Sequence, residues 1–301
     1  MEKNQKIIGA VLISLAAILW GLDGVVLTPR LFNLDVGFVV FMLHAIPFVL
    51  MNIFLFKEYK NLAKFTKQDF FWFGLIALFG GAIGTLSIVK ALFLVNFQHL
   101  SVVVLLQKLQ PVFAIILAAI LLREKIKKNF ALWAVIAIAA SYFLTFGLHL
   151  PDFQTGNIGM AALYALLAAF SFGSATVFGK KVLNKYNFKT ATFFRFGFTA
   201  FIMFIYVIFT RKITQLSVTT PTNWLIFLII AFTTGSGAIF IYYYGLKKVK
   251  ASISTICELF FPVSAIVFDY LVNGHVLSVV QWISALVLVA AVIKISLDNA
   301  K

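Results

Sequence analysis

Ten apolar runs alternate with short polar breaks along the chain, over residues 7–28, 36–56, 70–94, 99–122, 130–148, 158–182, 190–210, 224–246, 251–272 and 279–297. Each is near the ~20 residues that an α-helix needs to cross ~30 Å of hydrocarbon, so the pattern predicts an all-α integral membrane protein with ten transmembrane helices. Basic residues are unevenly shared among the breaks. Of 25 Lys and Arg, 18 fall at the N-terminus, on alternate loops with Lys180 and Lys181 at the edge of one of them, and at the C-terminus, 3 on the other loops and 4 deeper inside runs. This bias predicts a multi-pass protein of the cell membrane with both termini in the cytoplasm.

The longest polar break, residues 151–157, lies at the middle and leaves five runs on each side. Five is odd, so two similar units joined here must enter the membrane with opposite topology, as inverted repeats over 1–150 and 151–301. Similarity is visible within the chain. Ala16-Ala17-Ile18-Leu19-Trp20-Gly21 parallels Ala168-Ala169-Phe170-Ser171-Phe172-Gly173, at a separation of 152. Gly81 and Ala91-Leu92 parallel Gly235 and Gly245-Leu246 at 154, and Pro111-Val112-Phe113-Ala114-Ile115 parallels Pro262-Val263-Ser264-Ala265-Ile266 at 151. Three matches in one order at nearly one spacing indicate a duplication.

A mean hydropathy of +1.02 over 301 residues would leave a soluble domain nowhere to place its apolar surface. With about thirty residues per run, the loops are too short for a separate soluble domain, and the spans themselves must carry the function. The net charge of +15 sits beside helix ends, where anionic lipid headgroups attract it, and does not point to nucleic acid. Lys3 and Lys6 precede an apolar run, but its length and the lack of a small-residue cleavage site before Pro29 read as a retained helix. Cys257 is the only cysteine, which excludes an intrachain disulfide. No phosphate-cradling loop, H-E-x-x-H or nucleophile motif is present, and no metal or cofactor is expected.

Charged groups inside the runs need a partner, a cavity or a route to the interface, because each costs ~2.5–3.5 kcal/mol at a span centre. At ~1.5 Å per residue, Lys108 falls near the midplane, too deep to snorkel, with Gln107 and Gln110 on the same turn. Asp23, Lys90 and Asp269 lie near the outer ends of their spans, Arg195 and Glu258 nearer the inner ends. Lys90 and Arg195 are long enough to snorkel; the two aspartates are not. Glu258, Pro262, Ala265 and Asp269 share one helical stripe, which directs both acids into the bundle. Pro111 and Pro262 interrupt their helices and are candidate hinges. Trp20 and Tyr243 are candidate cavity walls. The small residues around Gly81 and Gly235 let helices pack closely, and His99, His149 and His275 fall at outer loops as ordinary interfacial histidines.

The closing motif Gln110-Pro111-Val112-Phe113 with Leu121-Leu122-Arg123-Glu124, its second copy, and Leu19-Trp20-Gly21 resemble the EamA-type branch of the drug/metabolite transporter superfamily. The resemblance covers essentially the whole chain. It departs in the second copy, where Gly274-His275 stands in place of Glu124, which leaves no acidic role there. It implies ten helices around a central cavity, alternating access and small organic metabolites as substrates.

The resulting expectation is a transporter, not an enzyme, moving small polar or amphipathic metabolites such as amino acids. One repeat would rock on the other around a midplane site of Lys108 and Gln107, with Glu258 and Asp23 as coupling or gating acids. Proton coupling and a homodimer are left open. Arg195 with Glu258 would close the inner side, and Lys90 with Asp23 or Asp269 the outer. An organic-phosphate or nucleotide-type carrier is the alternative that Lys108 and Lys90 suggest. A membrane enzyme acting on lipid would need its acids clustered at one interface, and here they are dispersed through depth; a non-transporting subunit would have no use for Lys108.

Overall fold

The computed structural model describes residues 2–96, 103, 106–148, 157–274, 276 and 278–300. His99, His149 and His275, most of the midpoint break and the start of the fourth run lie outside them. Among the described residues every regular element is helical. Eight helical runs are long and apolar enough to cross a membrane: Lys3–Leu31, Val36–Lys64, Lys67–Leu94, Ile158–Leu183, Phe188–Phe209, Pro221–Lys248, Ala251–Val272 and Val279–Asp298. Gln110–Leu121 and Lys128–Leu144 are shorter apolar helices.

Several of these runs are composite. The first is α1 (Glu2–Leu22), a π-helical turn over Asp23–Leu27 and a 3-10 turn over Thr28–Leu31. Next come α2 (Val36–Leu55), then α3 (Lys67–Leu75) and α4 (Gly84–Leu94), joined by a π-helical Ile76–Ile83. Then follow α5 (Gln110–Leu121), α6 (Lys128–Phe146), α7 (Ile158–Leu183) and α8 (Phe188–Phe209). A second π-interrupted run holds α9 (Pro221–Ile230), Ala231–Gly235 and α10 (Ser236–Lys248). The chain ends with α11 (Ala251–Cys257), α12 (Phe260–Asn273) and α13 (Val279–Ala300).

The packing repeats between the two halves. α1 lies along α10 and α12, while its counterpart α7 lies along α4 and α5; α2 pairs with α8, and α6 with α13. Where lipid replaces water, apolar burial supplies little drive between helices, and close approach of small residues takes its place. Accordingly Ala16 and Ala17 of α1 and their repeat partners Ala168 and Ala169 of α7 are wholly buried. A β-carbon at Gly21 would lie 2.8 Å from the backbone nitrogen of Ala265, and one at Gly173 would lie 2.8 Å from the Gln110 carbonyl and 3.1 Å from the Ala114 nitrogen. The two repeat-related glycines therefore bring the two first helices of the halves onto the two proline-bearing helices in the same way.

Helix starts are duplicated too. Thr66 and Asp69 form a reciprocal capping box at α3, and Thr220 and Asn223 form another at α9. The third residue of each box also ties down a distant loop: Asp69 accepts from Lys185 Nζ at 2.6 Å, and the Asn223 carboxamide exchanges hydrogen bonds with Asn33 at 3.0 and 3.1 Å. Large apolar side chains such as Phe209, Phe54 and Leu286 stand on the outside, as a lipid-facing surface requires.

Gly173→Ala should destabilise the detergent-solubilised protein by roughly 1–3 kcal/mol, since the clash is with backbone. Gly159→Ala, whose new methyl meets nothing within 4 Å, should be neutral or stabilising by up to about 1 kcal/mol. Thermal unfolding of both variants checks this; equal melting temperatures would remove the close-approach argument.

Candidate substrate cavity

The two proline-bearing runs are broken at matching places. Lys108-Leu109 and Glu258-Leu259 each interrupt the helix, just before α5 and α12. Short turns replace the regular ladder, with Leu109 N donating to Leu106 O at 3.1 Å and Leu259 N to Ile256 O at 3.1 Å. Broken helices at membrane depth are tolerated where protein or a cavity receives the freed polar groups. Here a cavity of about 300 Å³ lies between the breaks. All three π-helical segments reach it, through Asp23, Gly80 and Thr234. Such wide turns displace side chains and backbone from the regular helix surface and often mark functional sites.

Of the residues expected at the site, Trp20, Asp23, Gln107, Lys108, Arg195, Glu258, Pro111 and Pro262 line this cavity. Tyr243, Lys90 and Asp269 do not. Tyr243 is wholly buried behind the wall, and its neighbour Tyr242 takes the lining position, with its ring centroid 5.3 Å from that of Trp20. Lys90 is exposed on α4 and forms neither of the expected outer pairs, with Asp23 or with Asp269. Asp269 is half-buried farther along α12, so the shared stripe brings Glu258, Pro262 and Ala265 to the cavity without it.

The expected Arg195–Glu258 pair is also not formed. Arg195 donates through Nη1 to Tyr243 Oη at 3.1 Å and through Nη2 to the Gly80 carbonyl at 2.9 Å, while its guanidinium lies over the Tyr243 ring at 5.5 Å. The absent side chain of Gly80 leaves that approach open: a β-carbon there would lie 3.3 Å from Nη2. Glu258 is instead saturated by neutral donors. Its Oε1 accepts from Tyr242 Oη at 2.8 Å and Ser254 Oγ at 3.1 Å, with Thr176 Oγ1 at 3.5 Å, and its Oε2 accepts from the Gln110 carboxamide. Tyrosines thus stand where the sequence suggested a salt bridge. The acid draws its donors from α7, α10, α11 and the start of α5, so this knot joins both halves at one end of the cavity.

Lys108 is buried, and its ammonium donates to the Ser141 carbonyl of α6 at 2.7 Å. It turns inward from lipid, as its depth demands, but its strongest donor contact is to protein. The accepting carbonyl lies 33 residues away and is not one freed by Pro111. Gln107 and Asp23 differ from these committed groups: both line the cavity, and among the described residues the Gln107 carboxamide has no hydrogen-bond partner and the Asp23 Oδ1 has none, the Thr28 and Thr234 hydroxyls being the nearest groups to that carboxylate. His44, missed by sequence reasoning, lines the cavity from α2 and contacts the Val40 carbonyl through Nδ1 at 2.8 Å. Phe172 and Phe196 add aromatic wall. The repeat spacing offered one signal for Phe172, which matches Trp20 at 152. His44 had none.

Glu124, which follows the first proline helix, lies apart from the cavity. Its carboxylate accepts from Ala251 N at 2.8 Å, Ser252 N at 3.2 Å and Ser252 Oγ at 2.5 Å, capping α11. A carboxylate at a helix N-terminus satisfies donors that would otherwise be orphaned, so its work is to seat the second broken helix.

A model of the EamA-like transporter family matches the chain twice, over residues 7–146 and 159–297. The chain belongs to the EamA-like transporter family. It is a membrane transporter and not an enzyme. A protein of Fusobacterium nucleatum subsp. nucleatum named riboflavin transporter ImpX is 57% identical over 298 residues, covering 98% of this chain and 100% of that protein. An uncharacterized transporter of Synechocystis, sll1164, is 26% identical over 253 residues, covering 81% of this chain and 70% of its own length. A solved crystal structure superposes with a TM-score of 0.64 over 94% of each chain at 16% identity, a likeness of fold alone.

Lys108 is expected from the sequence as a substrate ligand; its bond to Ser141 is a structural contact that can be tested by itself. Lys108→Met should lower stability by about 1–3 kcal/mol, because the bond from the ammonium to the Ser141 carbonyl is lost inside the bundle. Tyr242→Phe should cost a similar amount through the lost bond to Glu258. Melting temperatures of the purified variants report both; a Lys108→Met protein as stable as the parent would show that the bond to Ser141 carries no weight.

Proposed function

We propose that this chain carries riboflavin, or a closely related flavin, across the cell membrane by alternating access. One observation carries the reading: the relative named a riboflavin transporter is 57% identical over essentially the full length of both chains. The cavity supports it. Its volume of about 300 Å³ is at the lower end of the range for drug-sized ligands. Trp20, Phe172 and Phe196 supply aromatic faces for a flat heterocycle. The unbonded carboxamide of Gln107 offers one donor and one acceptor side by side, which complements the O=C–N–H edge of the flavin ring. The amino-acid expectation gives way to a flavin. The phosphate-carrier alternative loses its motive, since Lys90 is outside the cavity and Lys108 is bonded to Ser141.

In this reading α5 and α6 complete a set of ten spans, arranged as two inverted five-helix repeats over 1–150 and 151–301, with both termini cytoplasmic. The breaks beside Pro111 and Pro262 are the hinges. The cavity's lining reaches Leu92 near the end of α4, and its other end is closed by the Tyr242–Glu258–Gln110 knot and by Arg195 on Tyr243 and Gly80. By the distribution of basic residues the closed end is cytoplasmic. Glu258, placed in the knot that must open, is the candidate coupling acid for a proton.

Proteoliposomes holding the purified protein should take up riboflavin with saturation, and excess amino acids or simple phosphate esters should not compete. Trp20→Ala should weaken uptake several-fold to about tenfold, the loss of one aromatic contact worth ~0.5–1.5 kcal/mol. If Glu258 carries the coupling proton, Glu258→Gln abolishes the stimulation that an imposed proton gradient gives. Competition by amino acids with no riboflavin flux would end the flavin reading.

A further inference from the structure

The cavity lining holds two acidic side chains, Asp23 and Glu258, and two basic ones, Lys108 and Arg195, so their formal charges cancel. Three of the four are committed to protein partners. Lys108 is held by the Ser141 carbonyl, Arg195 by Tyr243 and the Gly80 carbonyl, and Glu258 by Tyr242, Ser254 and Gln110. Asp23 is the exception. It sits on the π-helical turn that follows α1, where the wide turn presents it beside Gly24 and Val25 at the cavity wall, half-buried. Its Oδ1 is covered and has no donor within hydrogen-bond distance. The hydroxyls of Thr28, on the same run, and of Thr234, on the π-helical segment of the other half, are the protein groups that stand closest to the carboxylate, and the Thr234 hydroxyl likewise has no partner within hydrogen-bond distance.

A buried acceptor left unmet costs ~1–3 kcal/mol, and more when charged, so the Asp23 Oδ1 at the cavity wall is placed to receive a donor from whatever enters the cavity. The group that fits is a donor. A carboxylate accepts only, and the hydroxyls of a polyol chain can each donate to it, with the Thr234 hydroxyl able to give or take. A phosphate ester cannot serve: its oxygens are acceptors, it carries close to two negative charges, and the lining has no surplus cation to offset them.

We propose that Asp23 is the specificity-determining residue of this transporter, receiving the polyol hydroxyls of a neutral flavin and rejecting the same molecule once its chain is phosphorylated. The inference rests on the flavin reading above and goes beyond it, since that reading is silent on phosphorylation.

The test measures equilibrium binding of riboflavin and of riboflavin 5′-phosphate to the purified full-length protein, by quenching of flavin fluorescence, for the wild type, Asp23→Asn, Asp23→Glu and Thr234→Val. The wild type should bind the phosphate at least about tenfold more weakly than riboflavin. Asp23→Asn, which keeps the shape and one acceptor oxygen, should bring the two affinities within about threefold. Asp23→Glu, which keeps the charge, should preserve the discrimination and guards against a fold defect in the asparagine variant. Thr234→Val should weaken riboflavin several-fold and leave the discrimination in place. Equal binding of both flavins by the wild type, or an unchanged ratio in Asp23→Asn, overturns the role of Asp23 while leaving riboflavin transport standing. No riboflavin binding by the wild type removes the flavin reading itself, and this inference with it.

Discussion

Backbone continuity is the constraint on which the rest of this molecule depends. In an apolar surround every N–H and C=O must be met by protein, which makes an unbroken helix the default and any break an expense that other residues must cover. This chain breaks two spans, at Lys108-Leu109 and Glu258-Leu259, and loosens three others into π-helical turns. The breaks are affordable because neighbouring helices come close enough to cover them. Gly21 and Gly173 allow that approach, each placing a first helix of one half against the proline helix of the other. The cavity lies beside the two breaks, while α11 of one broken run still packs on α5 of the other.

Duplication explains the frame, and departures from it locate the chemistry. The capping boxes of α3 and α9 and the alanine pairs of α1 and α7 obey the repeat. The joints that the boxes make across the halves already differ, an Asp69–Lys185 ion pair from the first box and an Asn223–Asn33 amide pair from the second. At the breaks the difference is larger: by the proline spacing of 151, Glu258 stands where the first half has Gln107 and Leu259 where it has Lys108, so each break carries one charge, of opposite sign. Two equal halves would have given both breaks the same charge. The diverged halves place one of each, which lets the cavity stay neutral while keeping polar groups at both breaks.

The helical, membrane-spanning character of the runs and the repeat spacing were legible because they follow from hydrophobic periodicity, which acts locally. The same spacing marked Gly21 and Gly173 as related, although only the packing shows that both meet a proline helix. Thr66 with Asp69 and Thr220 with Asn223 are also 154 apart, a legible signal of two helix starts that the apolar pattern obscured. Partner choice was not legible. Depth put Arg195 and Glu258 at one level and so suggested an ion pair, but depth says nothing of azimuth, and Tyr242 and Tyr243, adjacent in sequence, face different ways and take one group each. Lys108 shows the same limit. Its burial followed from depth, whereas its acceptor on α6 depended on how the halves dock.

In the proposed carrier mechanism, the substitution of tyrosine-mediated bonds for a buried salt bridge would suit a barrier that must open and reseal. Separating a buried ion pair leaves two uncompensated charges and costs ~3–5 kcal/mol for one partner alone. Hydrogen bonds to a charged group contribute ~1.5–3 kcal/mol each and can be exchanged singly, so the knot around Glu258 can loosen in steps as Tyr242, Ser254 and Gln110 move with their own helices. Arg195 keeps its charge over the Tyr243 ring and against the Gly80 carbonyl, partners that do not themselves become stranded ions when it leaves. A closed end built this way holds by the number of its bonds, and its opening never requires two bare charges to face lipid at once.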